Sequence, residues 1–190
     1  NALKTPNSII CLTGDLVHSK LDLSPECINL LQELLRKLGD ICPTIIIAGN
    51  HDMQLSNPSR ISALSPIINA LNHPNLIYLK ASGLYEIGKI LFVVLGVDAK
   101  PNIYHDLIQN ANSIESPLKI ILHHGSVDDA NTSLGYKIIN EHVSVSLFNK
   151  CNASMVMLGD IHKKQNLQKF KEEFTEIDES ELDLYLKNGW

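Results

Sequence analysis

Four short apolar runs punctuate the chain, and each stops at residues of a very different kind. Positions 9–12, 45–47, 120–122 and 155–158 contain only Ile, Leu, Val, Met and Cys. Such runs, bounded by turn-forming residues, predict strands buried on both faces, as in a parallel sheet. Helical periodicity fills the intervals. Ser24-Pro25-Glu26 supplies a capping hydroxyl, a proline at the first helical position and an acid in the first turn. Ile28, Leu31, Leu34, Leu35 and Leu38 then recur at helical spacing, and Gly39 suits the stop. Ser65-Pro66 opens a second helix running to Leu71. Three β segments follow at 76–79, 84–87 and 90–94, with Gly88-Lys89 as a tight hairpin between the last two. A helix over 103–110, a strand over 118–122 and a helix over 142–149 lead to the final strand. This alternation predicts a layered α/β domain whose mostly parallel central sheet is flanked by helices.

The residues that end the four runs change the picture. They are Gly14-Asp15, Gly49-Asn50-His51-Asp52, His123-His124-Gly125 and Gly159-Asp160-Ile161-His162. Ligands of open α/β sheets sit beyond the carboxyl ends of the strands. Four strands are therefore expected to deliver Asp, Asn and His to one edge of one sheet, which is a metal-binding arrangement. Each string alone is weak, since a Gly-Asn pair also makes a turn. Their ordered occurrence is specific. His73, His105 and His142 lie away from these strand ends and read as surface or structural histidines.

Composition narrows the setting. A chain of 190 residues with 44% hydrophobic content has room for a sizeable core. No run is long enough to span a membrane. Cys11, Cys27, Cys42 and Cys151 are widely spaced with no Cys-x-x-Cys pair, which reads as reduced thiols in an intracellular, reducing compartment. The formal charge of −5 comes from the end of the chain, because residues 1–170 hold 14 acidic and 14 basic side chains. Residues 171–190 read as an acidic helical or mobile extension on a neutral domain of residues 1–170. That balance neither demands nor forbids a nucleic-acid substrate.

The ordered strings resemble the calcineurin-like metallophosphoesterases. That family carries Asp-x-His, Gly-Asp-x-x-(Asp/His), Gly-Asn-His-(Asp/Glu), a lone His and Gly-His-x-His in this order. Gly14-Asp15-Leu16-Val17-His18 is similar to the second motif and Gly49-Asn50-His51-Asp52 to the third. His123 is similar to the lone His, and Gly159-Asp160-Ile161-His162 to the last motif with Asp in place of its first His. His18 and the His-His-Gly string look most like the SbcD-type DNA double-strand-break repair exonucleases. The run from Gly159 to Gln165 looks like versions of that subgroup in viruses and phages.

The resemblance implies two divalent metal ions, Mn²⁺ by preference. Asp15 bridges them, Asn50, His123 and Asp160 bind the second ion, and His162 binds the first. It implies His51 as the acid that protonates the leaving oxygen, with Asp52 orienting its ring. His18 either seats a nucleic-acid strand or packs at a loop start. The implied reaction is DNA phosphodiester hydrolysis by a hydroxide bridging two ions ~3.5–4 Å apart. The implied partners are DNA and an SMC-like ATPase of the SbcC type, with a homodimer in the full-length protein and no membrane. A phosphatase acting on a phosphoprotein or small phosphoester, and a scaffold that has lost catalysis, stand beside this reading. No Asp-x-His precedes Asp15, and we expect a chain truncated at both ends.

Overall fold

The computed structural model describes residues 7–57, 60–128, 130–140 and 142–167, so the expected acidic extension at 171–190 lies outside the described residues. The layered α/β domain is built on two sheets, and the four strings come from both rather than from one. In the first, β1 (Ile10–Thr13), β2 (Thr44–Ile47) and β3 (Leu76–Tyr78) run parallel in that order. In the second, β4 (Gly83–Ile87) pairs antiparallel with β5 (Ile90–Leu95). β6 (Leu118–His124) and β7 (Met155–Gly159) then extend that sheet in parallel. The hairpin expected at Gly88-Lys89 makes the division. It pairs Ile87 with Ile90 and starts a new sheet instead of extending β3.

The sheets pack face to face. Ile45, Ile47 and Leu79 on one side meet Ile90, Phe92, Val94, Ile120 and Leu122 on the other, in a core with almost no solvent access. The first sheet's outer face presents Ile46 to α1 (Pro25–Ile41) and α2 (Leu64–Leu71), through Leu31, Leu35, Leu64, Ile67 and Ile68. The second sheet's outer face presents Leu91, Val93, Leu95 and Ile121 to α3 (Pro101–Asn112) and α4 (Val145–Phe148). Every residue of β2 and β5 is buried, as their unbroken apolar runs require.

Two of the helix boundaries that differ from expectation have a visible cause. α1 starts where foreseen, with the Ser24 hydroxyl accepting from Cys27 N–H at 3.2 Å. It then passes through Gly39, which lacks the left-handed conformation of a terminating glycine. Pro43 supplies the stop, because the residue before a proline is driven to extended backbone, and Cys42 adopts φ −163° and ψ 170°. The helix expected over 142–149 is only α4 plus a 3₁₀ turn at Asn149–Cys151. His142 lies before it, since Asn140 Oδ1 accepts from the N–H groups of His142 and Val143 and holds them out of a helix.

Candidate metal centre

The carboxyl ends of β1 and β2, from one sheet, abut those of β6 and β7, from the other. Asp15 follows β1, Asn50 follows β2, His124 closes β6 and Asp160 follows β7. Their side chains converge. His124 Nε2 lies 3.0 Å from Asn50 Oδ1, 3.2 Å from Asp15 Oδ2 and 4.0 Å from Asp160 Oδ1. Among the described residues, Asp15, His124 and Asp160 form the one group of such side chains whose donor atoms lie within 4.8 Å of one another.

Local backbone explains how two aspartates reach inward. Asp15 has φ 55° and Asp160 has φ 70°, both in the left-handed region. Asp tolerates that region better than most residues, and such conformations persist only where surrounding structure enforces them. At Asp15 the enforcement comes from Asp52, which is fully buried. Its Oδ2 accepts from the N–H groups of Asp15 and Gly49, each at 2.8 Å, and its Oδ1 from Val17 N–H at 3.1 Å. Burial pushes the Asp52 carboxyl above its ordinary range, against the pull of those three N–H groups. Gly49 completes the fit. A Cβ there would run into Asp15 Oδ1 and would sit 2.5 Å from Asp15 N and 2.7 Å from His124 Cε1.

His124 carries the strongest chemical indication. Its Nδ1 lies 2.6 Å from the Thr13 carbonyl oxygen, which can only accept, so Nδ1 bears a hydrogen. In a neutral ring Nε2 then offers a lone pair, and it offers it to oxygens. Two of these belong to carboxylates, which cannot donate when ionised. Acceptors gathered around an acceptor repel until a second ring proton or a metal cation joins them. Three oxygen donors and one imidazole nitrogen suit a hard or borderline divalent ion.

Asp15, Asn50 and Asp160 thus lie together, while the structure places three other parts of the expected site differently. The histidine in the cluster is His124, not His123. Successive strand residues point to opposite faces. His124 shares the inter-sheet face with Ile120 and Leu122, whereas His123 shares the outer face with Ile121. His123 Nδ1 meets the Leu95 carbonyl at 2.7 Å, and its ring packs against Tyr104 and Phe148. Burial there pushes the His123 pKa down. Secondly, the hydrogen bonds of Asp52 come from the backbone N–H groups of Asp15, Gly49 and Val17 rather than from His51. The His18 carbonyl orients His51, accepting from its Nδ1 at 2.7 Å. Thirdly, His162 is exposed and outside the group of converging donors.

His18 and His51 form a pair beside the cluster. Their rings stack at 5.3 Å with an interplanar angle of 18°. Because His51 Nδ1 is committed to a carbonyl, Nε2 is its working atom. Sequence reading also missed Lys20, whose Nζ donates to the Asn50 carbonyl at 2.9 Å and ties the β1–α1 loop to the donor loop. Nothing in the spacing announces Lys20. Strand parity in 118–124 could have singled out His124.

Comparison with known proteins decides the family. The model for calcineurin-like phosphoesterases matches residues 1–164. The chain belongs to that family. The phosphoesterase domain is also similar to the uncharacterized protein R555 of Acanthamoeba polyphaga mimivirus. The two are 43% identical over 170 residues, which is 87% of this chain and 12% of that protein. This phosphoesterase therefore spans only about 12% of the length of the relative it matches. Metal-dependent phosphoester hydrolysis is the chemistry of the family, and the donor cluster sits where its ordered motifs meet. No helix among the described residues is long and apolar enough to cross a membrane.

Proposed function

We propose that this phosphoesterase hydrolyses DNA phosphodiester bonds with Mn²⁺, as the nuclease component of a break-processing assembly with an SMC-like ATPase of the SbcC type. The observation that carries the hydrolase reading is the convergence of Asp15, Asn50 and Asp160 on the lone pair of His124 Nε2. Of the two divalent ions that the resemblance implies, these four side chains would hold one. When bound, a divalent cation polarises the phosphate and activates a water nucleophile. His51 Nε2 protonates the leaving oxygen, with its ring set by the His18 carbonyl and by stacking on the His18 ring. Asp52 keeps the two donor loops in register. The DNA preference draws support from His18 beside this acid, and from the likeness of the His18 and His-His-Gly strings to the SbcD-type exonucleases.

The test measures Mn²⁺ binding by calorimetry, then compares degradation of linear DNA with hydrolysis of bis(p-nitrophenyl) phosphate. Binding with Mn²⁺-dependent loss of DNA is the expected result. Activity on the small ester alone removes the nuclease reading, and absence of metal binding removes the hydrolase reading.

A further inference from the structure

Asn50 and His51 are neighbours in the chain with different tasks, one a metal donor and the other the proposed acid. The peptide that joins them is held on both sides. Its N–H, on His51, donates to Asp15 Oδ1 at 2.9 Å, and its C=O, on Asn50, accepts from Lys20 Nζ at 2.9 Å. A third bond sets the ring, from His51 Nδ1 to the His18 carbonyl at 2.7 Å. Asp15, His18 and Lys20 all come from the loop between β1 and α1. A peptide is planar and turns only as a unit. Such a turn changes ψ of Asn50 and φ of His51 together, and swings the imidazole relative to the donor cluster.

The three holds are not alike. Asp15 belongs to the donor cluster, so its bond to His51 N–H cannot be changed without changing the metal site. The His18 hold on the ring is a backbone carbonyl, which survives substitution of its side chain. Of the three, Lys20 grips by a side chain that, as an ammonium, has no lone pair for a metal. Lys20 is half-buried, and its bond to Asn50 bridges 30 positions of sequence. A charge-assisted bond in such a setting is stronger than a neutral one and less screened by salt.

We propose that Lys20 is a positioning residue for the proton-transfer step: by fixing the Asn50–His51 peptide, it sets where His51 Nε2 stands relative to the metal donors. In that step His51 Nε2 passes its proton to the leaving oxygen as the P–O bond to that oxygen breaks. The attacking water forms the new P–O bond and gives up a proton in turn. This inference rests on the proposal that His51 is the acid and adds what places it. A placement role makes a demand that a merely structural one does not. p-Nitrophenolate departs unprotonated, whereas a sugar alkoxide needs the proton, so a misplaced acid slows the second far more.

Steady-state kinetics with Mn²⁺ test it on thymidylyl-thymidine and on the p-nitrophenyl ester of thymidylate, which share a nucleotide and differ in what leaves. Lys20→Met is expected to lower kcat on the dinucleotide about ten- to a hundred-fold, the scale of a misplaced reacting group, with a smaller loss on the aryl ester. Mn²⁺ affinity in calorimetry is expected to change less than kcat. Adding Lys20→Met to His51→Ala is expected to cost little beyond His51→Ala alone, since an absent acid needs no placing. Equal losses on the two substrates, or additive losses in the double variant, overturn the placement role. So does a raised KM at unchanged kcat, which would make Lys20 a phosphate holder. Mn²⁺ affinity falling in step with turnover also overturns it, because Lys20 would then only prop Asn50. Wild-type kcat on the dinucleotide in His51→Ala refutes the acid, and this inference falls with it. A slow His51→Ala beside a Lys20→Met of wild-type rate refutes the placement alone.

Discussion

Replacing Asp52 by Ala tests whether a buried carboxylate holds the metal centre together without touching the metal. Three backbone N–H groups, of Asp15, Gly49 and Val17, lose their acceptor at once. Hydrogen bonds to a charged acceptor contribute about 1.5–3 kcal/mol each, which puts the gross loss at roughly 5–9 kcal/mol. Two effects reduce it. Ala no longer carries the desolvation cost that raises the Asp52 pKa, and water can reach the part-buried Asp15 N–H. We expect a net destabilisation of about 3–5 kcal/mol, the range seen when one partner of a buried ionic group is removed. Urea unfolding reads this as a lower midpoint at unchanged slope. Calorimetry should show weaker Mn²⁺ binding as well, because Asp15 is no longer held in its left-handed conformation. A loss under about 1 kcal/mol with unaltered metal affinity would refute the reasoning.

The remaining expectations concern single side chains. His124→Ala should abolish Mn²⁺ binding in calorimetry, whereas His123→Ala should keep it and lose about 2–4 kcal/mol of stability to the cavity between Tyr104 and Phe148; the reverse pattern would restore the original assignment. His51→Ala should leave metal affinity intact and lower turnover by ~10²–10⁴, the contribution of a positioned acid; loss of metal would show His51 to be a ligand. Burial pushes the Cys11 thiol up to about 11, so its contribution to stability is full below the ordinary thiol value and falls as pH rises through 11. At pH ~8 only about 0.1% of it is thiolate, and iodoacetamide should modify it far more slowly than a free thiol; labelling at the free-thiol rate would contradict that burial.

Much of this architecture is readable from residue order, and each misreading has a physical cause. Apolar runs announce that β1, β2, β6 and β7 are buried strands, and the Asp, Asn and His after them announce a site at their carboxyl ends. The runs are silent on which strands are neighbours, because a residue buried on both faces looks alike in either sheet. The four strings were therefore expected on one sheet, where the hairpin at Gly88-Lys89 divides them between two. The choice of His123 over His124 followed the family's motif pattern. With two sheets facing each other, only the residue in phase with Ile120 and Leu122 can meet Asp15 and Asn50. Gly39 misled because glycine signals an end only when its backbone turns left-handed, and here Pro43 imposes the end by steric exclusion. The role of Asp52 was illegible, since which backbone hydrogens a carboxylate will gather depends on two loops that are remote in sequence.

The bond from His124 Nδ1 to the Thr13 carbonyl joins residues 111 positions apart and stitches one sheet to the other. At the same seam a side chain on Gly159 would collide with that carbonyl. The donors are thus split between two slabs and meet only when the slabs are aligned. A slide of one residue spacing along a strand, about 3.3 Å, would carry His124 and Asp160 out of reach of Asp15 and Asn50. Metal affinity in this protein is therefore a gauge of how its halves are mated, and a distant core substitution that shifts one slab should be felt first as a lost ion.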